Sequence, residues 1–480
     1  MDTTPVAHHR GLEETAAVPH TDRIRGCSVL VVGMKRSGLA AARMLTALEA
    51  SVFVSDSAES ESLAYEVAAL KTAGIPFETG GHRIEALDGM DFVVASPGVP
   101  PDNMLVREAV ARGIPVLSEI EVASWVTDAV IMALTGSNGK TTTTAWLGSI
   151  YRESGHASEV GGNIGRAFAD FAAALRPDAR AILEVSTFQL ERVDEFRPHV
   201  AAILNLTPDH LDRHGTFEEY VRLKFRLLEN QLESDVAVLN ADDPTSVAYD
   251  KEHHTGTAQR WWFSTRQAVC PGVWWDGEYL HYNDGDSLGI IPHSDTLVPP
   301  GVHNRGNAAA AVAMALADGL TPTEIVPGLI AFRGVEHRLE HVATINGVDY
   351  INDSKATNPD SVAKAILSFD RPLVIIMGGL DKGTDFASLV DDLRPRVRAL
   401  VFTGKATGKL EVELGAHVPY RSAPAFDDAF SLAVDVAEAG DVVLLSPGCA
   451  SFDQFRDYED RGETFKTLVG ELAQAEEEGR

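Results

Sequence analysis

Lys140 and Thr141 close the stretch Thr135-Gly136-Ser137-Asn138-Gly139-Lys140-Thr141, and these residue types in this order can hold a polyphosphate. Gly136 and Gly139 let several backbone N–H groups converge on one anion, and a helix that follows adds its positive end. Lys140 would meet the terminal phosphates and Thr141 a Mg²⁺ ion, with Ser137, Asn138 and Thr142 in the same turn. The common phosphate-loop spacing would put a glycine at position 134, which is Leu134, so the loop is a shorter variant, T-G-x-N-G-K-[ST]. A second candidate is Glu184, inside the apolar strand Ala181 to Val185. A carboxylate there must be paired or bind a cation, because an isolated buried charge is too costly. A nucleotide-bound Mg²⁺ and an arginine such as Arg192 are the two alternatives.

These residues need elements to position them. An apolar run, Ile131 to Leu134, enters the phosphate loop, and helical spacing (Trp146, Leu147, Ile150, Tyr151) leaves it, so the order is strand, loop, helix. The glycine-rich Gly161-Gly162-Asn163-Ile164-Gly165 precedes the Glu184 strand, and the strand Ala201 to Leu206 ends in Thr207-Pro208-Asp209-His210-Leu211-Asp212-Arg213-His214. Three strands thus each deliver a polar cluster at the carboxyl end, as on one active-site rim. Tyr220 to Leu228 reads as a helix, where spacing alone makes Lys224 a surface lysine. Residues 256–298 read as β-hairpins around Trp261, Trp262, Trp274 and Trp275, structural in role.

Upstream, Cys27 to Gly33 is a buried-strand run that opens on Gly33-Met34-Lys35-Arg36-Ser37-Gly38 and an alanine-rich helix, with a second strand at Ser51 to Asp56. This is close to a dinucleotide fingerprint, but Lys35 replaces the middle glycine and would obstruct a pyrophosphate, which disfavours a nicotinamide or flavin dehydrogenase. The strand Asp91 to Ala95 runs into Ser96-Pro97-Gly98-Val99-Pro100-Pro101, a ligand rim or a plain turn. A further domain opens near Pro300. In it, His303 to Asn307 lead into an alanine-rich helix, Phe332 to Glu340 holds Arg338, and strands end at Asp353, Lys355 and Thr357, at Gly378 to Gly383, and at Ser446 to Phe455.

A length of 480 residues suits about three domains. The expected division is a mobile tail (1–24), a Rossmann-like first domain (25–125), a central phosphate-loop ATP-binding domain (126–299) and a Rossmann-like α/β third domain (300–480). Hydrophobic content of 45% with 23% charged residues is that of a soluble globular protein. No apolar run reaches membrane-span length, and no secretion signal opens the chain. Cys27, Cys270 and Cys449 are too scattered for a disulfide framework or metal cluster, which points to a reducing cytoplasm. A formal charge of -29 disfavours nucleic acid as the main partner.

Taken together, the clusters resemble the Mur ligases over residues 25–480. The phosphate loop, Leu204-Asn205-Leu206-Thr207-Pro208-Asp209-His210-Leu211-Asp212 and Asn352-Asp353-Ser354-Lys355-Ala356-Thr357-Asn358 resemble the family at large. Ser96-Pro97-Gly98, Ser186-Thr187-Phe188-Gln189-Leu190-Glu191 and Ser446 to Phe455 resemble its D-glutamate-adding branch. The resemblance implies ATP-dependent joining of D-glutamate to UDP-N-acetylmuramoyl-L-alanine through an acyl phosphate, in peptidoglycan synthesis, by a monomer acting on small molecules. It also implies two Mg²⁺ ions, with Thr141 and Glu184 as ligands of the first, His210 of the second, and Lys224 as a carbamate. That reverses the surface reading of Lys224, since an ammonium repels Mg²⁺ whereas a carbamate supplies an anionic oxygen.

Asn304, Asn307, Arg338, Asp353 and Lys355 resemble a nucleotide-closing set from the third domain. Thr357, Lys382, Ser451, Phe452 and Tyr458 resemble the D-glutamate pocket. Arg36, Ser37 and Asp56 correspond to the uridine site, with Ser96, Pro97 and Gly98, and Asn163 and Ser186 correspond to muramoyl contacts. Ala58 stands where the family has a uridine-contacting arginine, so Lys35 and Arg36 are expected to supply charge to the diphosphate. The alternatives are an amide ligase of the same group acting on another amino acid or on folate, and a nucleotide-dependent regulatory protein without ligase activity.

Overall fold

The computed structural model describes residues 21–253, 255–296, 302–381 and 383–478. The expected tail therefore lies outside the described residues up to His20; Thr21–Arg23 form a 3-10 turn. The contacts separate two compact units, one ending at Phe332 and one beginning at Arg333.

The first unit holds two sheets. β1 (Ser28–Val32), β2 (Ser51–Ser55), β3 (Phe77–Glu78), β4 (Phe92–Ala95) and β5 (Val116–Leu117) form a parallel sheet in the order β3-β2-β1-β4-β5. Their near-continuous Val, Leu and Ala runs suit strands covered on both faces. The order reverses between β1 and β4, so ligands are expected outside their carboxyl ends, where Gly33 to Ser37 and Ser96 to Pro100 lie. Helix Arg36–Ala47 packs tightly there: a Cβ on Gly38 would lie 1.7 Å from the Gly33 carbonyl oxygen, so only glycine lets the helix start so close to the strand.

The second sheet comprises β6 (Val130–Thr135), β7 (Ser158–Gly162), β8 (Arg180–Glu184), β9 (Val200–Ile203), β10 (Val236–Asn240), β11 (Gln259–Ser264), β12 (Gly272–Trp275), β13 (Leu280–Asn283) and β14 (Leu288–Ile291), in the order β14-β13-β12-β11-β10-β9-β6-β8-β7. The expected hairpins are found only in β12-β13-β14. β11 runs parallel to β10 and to β12, extending the sheet.

The domain boundary expected at residue 300 moves. Helices Val302–Ala317 and Pro322–Ala331 belong to the first unit, where they pack on helix Lys140–Glu153, the phosphate-loop helix. Two donors from that helix hold the second of them: Trp146 Nε1 to the Leu329 carbonyl (3.0 Å) and Ser149 Oγ to the Gly328 carbonyl (2.9 Å). An alanine-rich face allows this close packing, and the sequence pattern could not say which sheet it covers.

The second unit is a sheet of β15 (Glu340–Ile345), β16 (Val348–Asn352), β17 (Leu373–Gly378), β18 (Val397–Thr403), β19 (Tyr420–Ser422) and β20 (Val442–Leu445), in the order β15-β16-β20-β17-β18-β19 and parallel except at β15. Apolar clusters lie on both of its faces. No described helix is long and apolar enough to cross a membrane.

Candidate active site

The phosphate loop is braced from the strand beside it. Ser137 N donates to the Asn205 carbonyl (2.9 Å), Asn138 N to Asn205 Oδ1 (2.8 Å), and Asn205 Nδ2 to the Asn138 carbonyl (3.0 Å). Ser137 Oγ donates to the Thr207 carbonyl (2.9 Å) and lies 2.9 Å from the Tyr220 hydroxyl. Lys140 Nζ folds back over the loop onto the Gly136 (2.8 Å) and Ser137 (3.0 Å) carbonyls. Gly139 has φ +80°, and a Cβ there would sit 2.3 Å from Asn307 Oδ1. Asn307, itself bonded to Asn304 (3.3 Å), therefore reaches the loop from within the first unit, which corrects its expected placement in the third domain.

Glu184 is 2% exposed. One carboxylate oxygen accepts from the Thr141 hydroxyl (2.8 Å) and the other from Asn163 Nδ2 (2.8 Å). The alternative pairing with Arg192 is not met, for Arg192 donates instead to the Val99 carbonyl (3.3 Å). A buried carboxylate served only by neutral donors has the oxygen chemistry that Mg²⁺ prefers. Thr141, at the head of its helix, supplies the adjoining oxygen.

Lys224 is not a surface residue. It lies in helix Phe217–Phe225 at 2% exposure, because Tyr220, Leu223 and Phe225 carry the same helix into the core. Its Nζ donates to the Gly136 carbonyl (2.8 Å) and Thr135 Oγ1 (3.3 Å) and lies 4.6 Å from the Tyr220 ring centroid. Burial, and then the charge of Lys140, push its pKa well below the usual lysine value against the opposing pull of Asp209 and Glu184. Among the described residues no group of three or more His, Cys, Asp and Glu side chains could hold a metal.

His210 stands at the rim with positive φ (52°) and a side chain 49% exposed, 3.6 Å from Asp209 and with its ring 4.9 Å from that of Phe188. Behind it the sequence reading missed Arg213. This guanidinium grips Glu191 with both arms (2.8 and 2.6 Å), donates to the Val99 carbonyl (3.1 Å) and lies 4.4 Å from the Phe188 ring centroid. It therefore ties the Ser96–Pro100 turn to the rim; its place in the His210 motif was its only sequence signal.

A cavity of about 510 Å³ opens beside that turn, lined by Lys35, Arg36, Ser37, Asp56, Ser96, Pro97, Gly98 and Asn163 among others. Asp56 accepts from Met34 N (2.8 Å) and Ala58 N (2.9 Å), and Ser96 Oγ donates to the Gly33 carbonyl (2.8 Å). The Arg36 guanidinium, at the cavity wall, donates to the Gly162 (3.3 Å), Asn163 (2.8 Å) and Gly165 (2.9 Å) carbonyls. It holds the glycine loop that carries Asn163 to Glu184. Ser186 caps a short helix reciprocally with Gln189.

In the second unit, Asp353 is buried at the end of β16, accepting from Ser446 Oγ (2.9 Å) and Leu339 N (3.3 Å), and burial raises its pKa to about 7. Lys355 Nζ lies 5.5 Å from the Tyr458 ring centroid, Ser451 is buried, Phe452 is 64% exposed, and Arg338 is exposed. Thr357 is half-buried, and Lys382 lies outside the described residues. Arg461, unremarked in the sequence, is buried and joins the loops through Ser354 Oγ (3.0 Å), the Ser354 carbonyl (2.8 Å) and the Cys449 carbonyl (3.2 Å).

Three family descriptions match in order: the MurD-like N-terminal domain of Mur ligases at residues 27–118, the Mur ligase middle domain at 134–315, and the Mur ligase glutamate ligase domain at 337–449. The chain belongs to the Mur ligase family. Among the Mur ligases, a UDP-N-acetylmuramoylalanine--D-glutamate ligase of Koribacter versatilis is 44% identical over 94% of this chain and 99% of its own length. One from Salinibacter ruber is 43% identical over 94% and 99%. Among solved Mur ligase structures, MurF of Acinetobacter baumannii aligns with a TM-score of 0.56 at 19% identity over 93% of each chain. MurC of Thermotoga maritima aligns with 0.55 at 18% identity over 93% and 100%. At these identities the structural likeness establishes the fold. The middle-domain match runs to residue 315, consistent with helix Val302–Ala317 belonging to the first unit.

Proposed function

We propose that the protein joins D-glutamate to UDP-N-acetylmuramoyl-L-alanine with hydrolysis of ATP to ADP and phosphate, in the cytoplasm and as a monomer. The observation that carries this reading is Asn163, whose side chain bonds Glu184 beside the phosphate loop while lining the cavity of the first sheet. An acid bound in that cavity can thereby reach the γ-phosphate of ATP on the loop. The similarity to ligases of that name supports the choice of substrates.

The alanyl carboxylate attacks the γ-phosphorus and the bond to ADP breaks. The amine of D-glutamate then attacks the acyl phosphate, and phosphate leaves as the amide forms and the amine loses a proton. Lys140 and the backbone N–H groups of Gly136 to Thr141 offset charge on the transferring group, so the gain comes from placement and electrostatics. Thr141 and Glu184 would hold a Mg²⁺ ion, and His210 with a carbamate on Lys224 a second, which would neutralise charge on the phosphate oxygens. Tyr220 and Thr135 orient Lys224, and Asn163 orients Glu184. In the second unit Thr357, Ser451, Phe452, Tyr458 and Lys382 are the proposed D-glutamate residues.

The test is phosphate release by the purified chain with ATP, Mg²⁺ and UDP-N-acetylmuramoyl-L-alanine, with D- or L-glutamate and with each substrate omitted in turn. The reading requires release only with the complete set and the D isomer. Release with a different amino acid, or release independent of the nucleotide sugar, overturns it.

A further inference from the structure

The far side of the 510 Å³ cavity carries His82 and Asn103, which no motif singled out. Their hydrogen bonds run in one direction. Glu78 is held ionised, its pKa lowered against burial by bonds from Arg83 and Ser55, so it accepts the single proton of the buried Ser55 hydroxyl (2.7 Å). Ser55 Oγ must then accept from His82 Nδ1 (2.7 Å). Burial lowers the His82 pKa, favouring the neutral ring, which leaves Nε2 as an acceptor. Asn103 Nδ2 fills it at 3.1 Å.

The orientation of the Asn103 amide is independently set. Asn103 caps helix Met104–Ala111, its Oδ1 accepting from Leu105 N (2.9 Å) and Val106 N (3.4 Å), so oxygen and nitrogen cannot exchange places. Of the two Nδ2 protons one is committed to His82, and the other is left over on a residue that lines the cavity.

A nucleotide sugar in this cavity has a defined direction under the function proposed above. Its reacting carboxylate lies toward Asn163 and the phosphate loop, its diphosphate at the start of helix Arg36–Ala47, and its base at the end walled by the first sheet alone. There Asp56 and Ser57 follow β2, and His82 and Asn103 close the wall. The edge of the base furthest from the ribose meets that wall first. We propose that Asn103, its amide fixed by the helix cap and one of its protons taken by His82, is a specificity-determining residue that donates to O4 of uracil. Cytosine carries an amino group at this atom and would set donor against donor.

The proposal rests on the ligase reading, and its test separates the two. Binding of UDP and CDP to the full chain is measured calorimetrically for wild type, Asn103→Asp and Asn103→Ser. Both replacements keep a capping side chain. Wild type should bind UDP at least about tenfold tighter than CDP, the worth of one well-made hydrogen bond. In Asn103→Asp an oxygen replaces the donor, and the preference should fall at least about tenfold, toward CDP. In Asn103→Ser UDP should weaken while CDP does not. A ratio unchanged in both variants, or parallel losses for both bases, overturns the assignment while leaving the ligase intact if phosphate release still requires the UDP substrate. Failure of wild type to bind UDP, with no stimulated phosphate release, overturns both.

Discussion

Replacing Arg213 by lysine keeps the charge and removes the shape. The guanidinium and its partner Glu191 are 13% and 12% exposed, so their contacts are poorly screened. Lysine can restore one of the two bonds to Glu191 but not the second, nor at the same time the bond to the Val99 carbonyl, nor planar stacking on Phe188. Two lost hydrogen bonds and the ring contact, at about 1 kcal/mol each, predict a destabilisation of about 2–3 kcal/mol. The Val99 carbonyl keeps its bond from Arg192, so it is not left orphaned. Arg213→Met strands the Glu191 carboxylate and should cost about 3–5 kcal/mol. Urea unfolding followed by fluorescence gives both numbers. Because Val99 lines the 510 Å³ cavity, where the proposed function puts the UDP substrate, Arg213→Lys should also raise the Michaelis constant for that substrate more than that for ATP. The reasoning fails if the lysine variant lies within about 0.5 kcal/mol of wild type, the range of an ordinary surface change. It fails equally if the methionine variant is no worse than the lysine variant.

Lys224→Ala should abolish ligation and regain part of it with short carboxylic acids, while intact-mass measurement of the wild type shows added CO₂; an unmodified lysine together with no rescue would refute the carbamate. Gly139→Ala should weaken ATP binding, since a Cβ would meet Asn307 and the positive φ costs about 1 kcal/mol; unchanged nucleotide affinity by calorimetry would contradict the close approach. Glu119 is 1% exposed, with Oε1 accepting from Ala169 N (2.6 Å), and burial raises its pKa to about 7. Between its unfolded value and that value the folded state binds the extra proton, so wild-type stability should fall with rising pH over this window by about 1.4 kcal/mol per unit. Asp353, also raised to about 7, adds to the slope, so Glu119→Gln should lower it by about 1.4 kcal/mol per unit in unfolding curves measured from pH 4.5 to 8, and a slope unchanged from wild type would show that Glu119 does not contribute to it.

The phosphate loop, the Glu184 strand and the glycine-rich loop were legible because each is local. A strand, a tight turn and a helix N-terminus lie within a dozen residues, and Thr141, Glu184 and Asn163 do meet as one rim. Lys224 was not legible by spacing. Helical periodicity marks a face without saying what covers it, and only the packing of helix Phe217–Phe225 against the loop turned that lysine inward. Asn304 and Asn307 were expected with the third domain but fold with the first unit, because an alanine-rich helix after a proline pair reads equally as the end of one domain or the start of the next.

By itself the sequence determined the chemistry available: a polyphosphate loop, an acidic strand, an α/β architecture and the family, all carried by short contiguous motifs. Tertiary structure alone decided which side chains are committed. Arg36 donates to three carbonyls of the glycine loop, Arg213 joins the Ser96–Pro100 turn to the turn that carries His210, and Asn103 commits one amide proton to a histidine 21 residues away. The physical reason is that a hydrogen-bonding group has a fixed number of protons and lone pairs, and which of them remain for a substrate is settled only when chain-distant partners have claimed the rest.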